Sequence, residues 1–242
     1  VSTDEMKALC SPYAQLQRDY NEFKNFIINQ NPRVKDAIKK THDFHTRLLR
    51  ILGYETDNAY TEPFVVNAEA EPIEMIPVRH ILRRGSQVKM LIMEMQHLIP
   101  VGEQEPAGLF EQQYESEPDR NTGVQRYNAG QWEFVFKLDR NQYKISPAII
   151  NKAITQLFLM PDEHRPHFIL MLAGNTVFLF DQDKWSHGSY LQFSLDELFT
   201  QARVPAFRLY FALFHLLLSK QTLAADSEQL LMDTIIEESY KN

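Results

Sequence analysis

Apolar residues recur at three- and four-residue steps through the first fifty positions, and then the period changes. In "SPYAQLQRDYNEFKNFIINQ" (11–30) the stripe is Leu16, Tyr20, Phe23 and Ile27. Ser11 stands as a candidate N-cap and Pro12 at the first helical position, where its missing N–H costs nothing. "NPRVKDAIKKTHDFHTRLLRILGYE" repeats the device with Asn31 and Pro32, and its stripe is Val34, Ile38, Phe44, Leu48, Leu49 and Leu52. Gly53 is a natural stop just past the helix. Two such helices can pair with each other or pack on one face of a sheet.

From Tyr54 the pattern reads as strands. "EPFVV" (62–66), "EMIPVRHILRR" (74–84) and "VKMLIMEMQHL" (88–98) are strand-like, the last two joined at Gly85-Ser86. Pro77 implies that its strand starts there or lies at an edge. The segment 100–123 is acidic and rich in turn formers, which predicts an insertion or flap. "QWEFVFKL" (131–138) reads as a strand, and "SPAIINKAITQLFLM" as a helix capped by Ser146. "HFILMLAGNTVFLFD" (167–181) is the strongest β signal, two apolar strands about Gly174-Asn175 that look buried on both faces. "YLQFSLDELF" follows, a short strand entering a helix with Ser194 and Glu197 as capping box. "PAFRLYFALFHLLLSK" and "DSEQLLMDTIIEESY" complete the chain as helices.

The order αα-βββ-α-ββ(β)-ααα predicts a mixed α/β fold. It divides into an N-terminal helical pair (1–53) packed on the core, a core over 54–200 with an insertion at 100–125, and C-terminal helices over 201–242. At 242 residues, 44% hydrophobic and 24% charged, the chain is long enough for one sizeable core. A formal charge of −7 argues against coating nucleic acid by bulk electrostatics, though not against a local basic groove. The single cysteine, Cys10, excludes an internal disulfide framework and fits a reducing cytoplasm. No apolar run approaches the roughly 18 residues of a membrane span, and no signal peptide is visible, so no membrane partner is expected. The start at Val and the end inside a helical pattern suggest a piece of a larger protein.

Glycine-rich phosphate loops, dinucleotide fingerprints and nucleophile elbows are absent. His42 and His45, and His164 and His167, lie three apart, but two histidines without further ligands fit a solvated or packed role better than a metal site. Glu94 is different, because it closes the apolar run "MLIM". Either the strand surfaces there, or the carboxylate meets a cation. On a strand Glu94 and Gln96 share a face, an arrangement that metal-dependent phosphodiester hydrolysis uses for a metal ligand and a water-orienting group. The neighbouring strand offers Val78 where a second acid would sit, with Glu74 at the fringe. Arg79, Arg83, Arg84 and Lys89 cluster in a stretch (75–93) without an acidic residue. They form either a solvated hairpin face or a set of phosphate contacts.

The order "RLLRILGYE", "IPVRHILRRGSQVKMLIMEMQ", "FILMLAGNTVFLFDQDKW", "YLQFSLDELF" resembles the N-terminal nuclease-like region of bacterial type II restriction enzyme/adenine-specific DNA methyltransferase fusion proteins. Related regions occur in phage-defence methyltransferases. The resemblance covers roughly 40–100 and 165–200. It implies a central mixed sheet of the restriction-endonuclease-like type flanked by helices. Active members of that nuclease superfamily carry Pro-Asp on one strand and Glu-x-Lys on the next. Pro77 matches the proline, Val78 stands in place of the aspartate, Glu94 matches the glutamate, and Gln96 stands in place of the lysine. The implied catalytic positions are therefore Glu94 and Gln96, and the implied metal ligands Glu94 and Glu74, in a degenerate site. Mg²⁺ is expected where cleavage is retained, and S-adenosylmethionine only in a downstream domain, since Asn-Pro-Pro-Tyr/Phe is missing here. The implied partners are double-stranded DNA, through Arg79, Arg83, Arg84 and Lys89, and other domains of the same polypeptide. A non-catalytic module docking a protein through 100–120 and "EQLLMDTIIEESY" is the alternative.

Overall fold

The computed structural model describes residues 3–30, 34–54, 64–95, 110, 114–119, 124–129, 132–137, 143–200 and 207–224. It is mixed α/β, and the chain divides into two compact units. One comprises 1–56, 175–177 and 192–242, and the other 57–174 and 178–191. Among the described residues no helix is long and apolar enough to cross a membrane.

The first unit is helical. Helix α1 (Thr3–Asn29) and α2 (Val34–Ile51) meet through aromatic residues: the rings of Phe23 and Phe44 stack at 5.2 Å, and Tyr20 lies 5.4 Å from Phe44. Helix α1 begins well before Ser11, so Pro12 lies inside it rather than at its start. An interior proline costs about 3 kcal/mol. Full burial of Tyr13, Leu16, Tyr20 and Phe23 just beyond it offsets that, since each large apolar side chain contributes roughly 1.5–3 kcal/mol. Asn31 and Pro32 lie outside the described residues. Helix α2 ends as its sequence implies. Gly53 takes φ +86°, its N–H reaches Arg50 O (3.0 Å), and Tyr54 N–H reaches Leu49 O (2.9 Å). That is the paired closure of a Schellman motif.

Further along, α5 (Leu195–Thr200) starts at Ser194, whose Oγ accepts the N–H of Glu197 at 3.3 Å. Asp196 in its first turn accepts hydrogen bonds from Lys24 and Asn175. Burial works against its ionisation, yet these donors hold its carboxyl below the usual range. Helices α6 (Phe207–Leu218) and α7 (Lys220–Leu223) follow. Tyr13 Oη lies 3.0 Å from His215 Nδ1, and burial lowers the pKa of that imidazole.

The second unit holds the sheets, apart from residues 176–177 and 192–194. Strands β1 (Phe64–Asn67), β2 (Ile73–Ile76) and β8 (Tyr143–Ile145) form one, in that order. Strands β5 (Tyr114–Asp119), β6 (Val124–Ala129) and β7 (Trp132–Lys137) form another. Residues 100–125, expected as an insertion or flap, thus contain β5 and the start of β6. Pro118 and the acids of "YESEPD" hide the strand from any apolar alternation. Helix α3 (Ile150–Phe158) starts later than Ser146 would set it. Ser146 instead follows β8 directly, with its N–H bonded to Met75 O at 3.1 Å.

The largest sheet contains β3 (His80–Arg84), β4 (Gln87–Met95), β9 (Phe168–Ala173), β10 (Thr176–Asp181) and β11 (Leu191–Ser194), in the order β11-β10-β9-β4-β3. A turn at Gly85 (φ +59°) joins β3 to β4 as an antiparallel hairpin. Strand β4 runs parallel to β9, Met90 facing Phe168 and Glu94 facing Leu172. All six residues of β9 are buried, as a strand covered on both faces requires. The short helix α4 (Gln182–Trp185) leaves the end of β10 with Asp181 as N-cap. Pro77 falls in the break between β2 and β3 rather than within a strand.

Candidate functional site

Both ends of the β4–β9 pair carry charge, and they differ. At the C-terminal end stands Glu94. Its side chain and that of Arg79 are each 0% exposed, and Nη1 of Arg79 donates to Oε1 of Glu94 at 2.8 Å. Arg79 precedes β3, and its backbone N–H still bonds Ile92 O (2.7 Å), so the hairpin register itself delivers the guanidinium to the carboxylate. The strand does not surface at Glu94. The charge is matched by a cation from the same hairpin, one that is permanently protonated.

The Arg79–Glu94 pair bears on two expectations at once. Arg79 is buried on Glu94 and is not at the surface, where a phosphate contact would need it. A divalent ion at Glu94 would have to displace a guanidinium from a fully buried site, with one carboxylate to hold it. Hard cations need several oxygen ligands. Val78 is buried and offers no ligand, and Gln96 lies outside the described residues. Glu74 is on β2, in a different sheet, and pairs with Lys144 at 3.0 Å. The Lys144 hydrogen bond holds its carboxyl below the usual range. Among the described residues Glu94 and Glu74 belong to no group of metal-ligating side chains. The residues present do not fit Mg²⁺ at Glu94.

The other end of the pair is open. Arg83 and Arg84 are exposed at the hairpin turn, and Lys89 is half-buried on β4. Arg83 Nη1 also holds Ser86 O (3.2 Å), which fixes the turn. The neighbouring 161–165 loop brings acids near, since Val88 N–H bonds Glu163 O. Arg165 already engages Asp162, and His164 lies 3.4 Å from Glu163.

At this same end lie His167, Asp181 and Asp183. Their ligand atoms all fall within 4.8 Å of one another. Strand β9 starts just after His167, and β10 returns antiparallel from Gly174-Asn175, so Asp181 comes back beside it. Gln182 N–H bonds His167 O at 3.0 Å, and His167 N–H bonds Lys89 O at 2.9 Å. Sequence spacing paired His167 with His164 and overlooked the aspartates. Counting outward from the Gly174-Asn175 turn would have found them.

The class that the fold defines is a mixed α/β protein with helices and two mixed sheets. No family model, curated protein or solved structure matches the chain.

Proposed function

We infer that this chain is a non-cleaving, DNA-contacting domain of a restriction-modification or phage-defence DNA methyltransferase. In this reading its fold descends from a nuclease, and the Glu94 position has become structural. What supports it is the Arg79–Glu94 pair, in which the carboxylate expected to bind metal is saturated by a buried arginine. The DNA surface is then the open hairpin end, with Arg83, Arg84 and Lys89 as phosphate contacts. S-adenosylmethionine belongs to another domain of the same polypeptide.

Anisotropy of a labelled duplex against salt concentration tests this. Binding should weaken steeply with salt, and the Arg83→Ala/Arg84→Ala/Lys89→Ala variant should lower the log–log slope by roughly 2–3, at about 0.9 per phosphate. Mg²⁺-dependent cleavage should be absent. Salt-independent binding, or an unchanged slope in the triple variant, rejects the reading.

One observation favours a second reading, a module that docks another protein or domain. Tyr210, Leu213 and Leu216 are 46%, 46% and 41% exposed along α6. Of the docking candidates in the sequence, 228–240 lies outside the described residues, as does the acidic segment 100–120 apart from 110 and 114–119. Docking through an apolar face would persist at high salt.

A further inference from the structure

We propose that His167, Asp181 and Asp183 form a binding site for one divalent first-row metal ion, Mn²⁺ or Zn²⁺. The proposal goes beyond the DNA-contact reading and concerns the opposite end of the β4–β9 pair from Glu94.

The three side chains come from three separate places: the entry to β9, the end of β10, and α4. Their ligand atoms converge within 4.8 Å. Yet among the described residues no ion pair within 4.0 Å joins His167 to either aspartate. Ligands sharing one ion stand roughly 3–4.5 Å apart, given bonds of about 2.0–2.5 Å. Small side-chain rotations reach that spacing from here.

The backbone beneath is tied down on both sides. His167 is held through its N–H to Lys89 O and through its carbonyl to Gln182 N–H. One oxygen of Asp181 accepts the N–H of Asp183 at 2.8 Å, which orients that carboxylate and leaves its second oxygen for an ion. Restraint of this kind in a supporting shell tunes metal affinity. Two carboxylates and a neutral imidazole balance a dication. One nitrogen with two oxygens favours Mn²⁺ or Zn²⁺ over Ca²⁺, which prefers oxygen alone.

Gln182, between the two aspartates, also lines a groove of about 530 Å³ with Trp185, Phe158, Thr155 and Asn151. Trp185 Nε1 donates to Thr155 Oγ1 at 3.0 Å and so sets one wall. An ion held by its neighbours would sit beside a cavity rather than on a flat face.

Mn²⁺ alone, titrated into the full chain and followed by loss of the free-ion EPR signal, tests the site, with Zn²⁺ measured by calorimetry. The expected result is one bound equivalent, weakened about tenfold or more in His167→Gln and in Asp183→Asn. The Arg79→Met/Glu94→Leu double variant, which removes the buried pair without stranding a charge, should bind as wild type does. Circular dichroism confirms that each variant is folded. No saturable binding of either ion, or binding as tight as wild type in both ligand variants, overturns the proposal. Binding lost in the double variant but kept in His167→Gln and Asp183→Asn overturns it too. That outcome alone would also overturn the structural role of Glu94.

Discussion

Glu94 and the Asp181–Asp183 pair lie at opposite ends of one two-stranded core, and their surroundings assign them opposite work. Glu94 sits where β4 and β9 are fully covered, so its charge must be matched inside the protein. Arg79 does so at 2.8 Å. Asp181 and Asp183 sit where the sheet opens, beside His167, and among the described residues no cation pairs with them. A carboxylate at the end of a buried strand can therefore mean two things. The decisive feature is what stands across the hairpin, and not the carboxylate itself.

The sharpest way to break this comparison is at the closed end. Arg79→Ala leaves Glu94 buried without its guanidinium, which should cost about 3–5 kcal/mol, read as a lowered urea midpoint. Replacing both partners, Arg79→Met with Glu94→Leu, should be close to neutral or stabilising, because two desolvated charges are exchanged for packing surface. If the single and double variants are equally destabilised, the pair is not what holds Glu94 in place.

How much of this was legible in the sequence follows from which signals are local. The β3–β4 hairpin, the β9–β10 hairpin, the Gly53 stop and the Ser194 cap are set by residues within a few positions of one another, and the structure has them. Helix α1 was misplaced at its start because Pro12 reads locally as a beginning, while the burial that lets it stand inside a helix is tertiary. Strand β5 carries acids and Pro118, and β6 (VQRYNA) is mostly polar, so neither shows an apolar alternation. At the candidate site, the sequence posed the right alternatives for Glu94, a surfacing strand or a cation. It placed Arg79 with the phosphate contacts, however, because pairing across fifteen residues depends on register. The convergence of His167 with Asp181 and Asp183 depends on register in the same way.

At the open end the expected effects are smaller. Asp181→Ala removes the cap of α4 and should cost about 1 kcal/mol, the usual loss for such a cap. Asp181→Asn keeps a capping oxygen and should cost much less. Thermal unfolding without metal separates the two. A cost of several kcal/mol for either variant would mean that this end is as tightly packed as the Glu94 end, and the contrast would fail.

The smallest effect belongs to Glu74, the third carboxylate, which is paired with Lys144 but partly exposed (24% and 44%). The Lys144 hydrogen bond lowers its pKa below the ordinary value of 4.5, against a smaller opposing effect of burial. A carboxyl depressed in the folded state binds fewer protons there than in the unfolded chain. Its contribution is therefore fully present above about pH 4.5 and fades as pH falls through the folded value. Solvent screening keeps it small, so Lys144→Met should cost about 0–1 kcal/mol at pH 7. The difference should shrink in high salt and vanish well below pH 4.5. Urea unfolding of wild type and variant at both pH values measures it. A loss of several kcal/mol that survives acid would put Glu74 with Glu94, among carboxylates whose charge the core must match, rather than among those that solvent already screens.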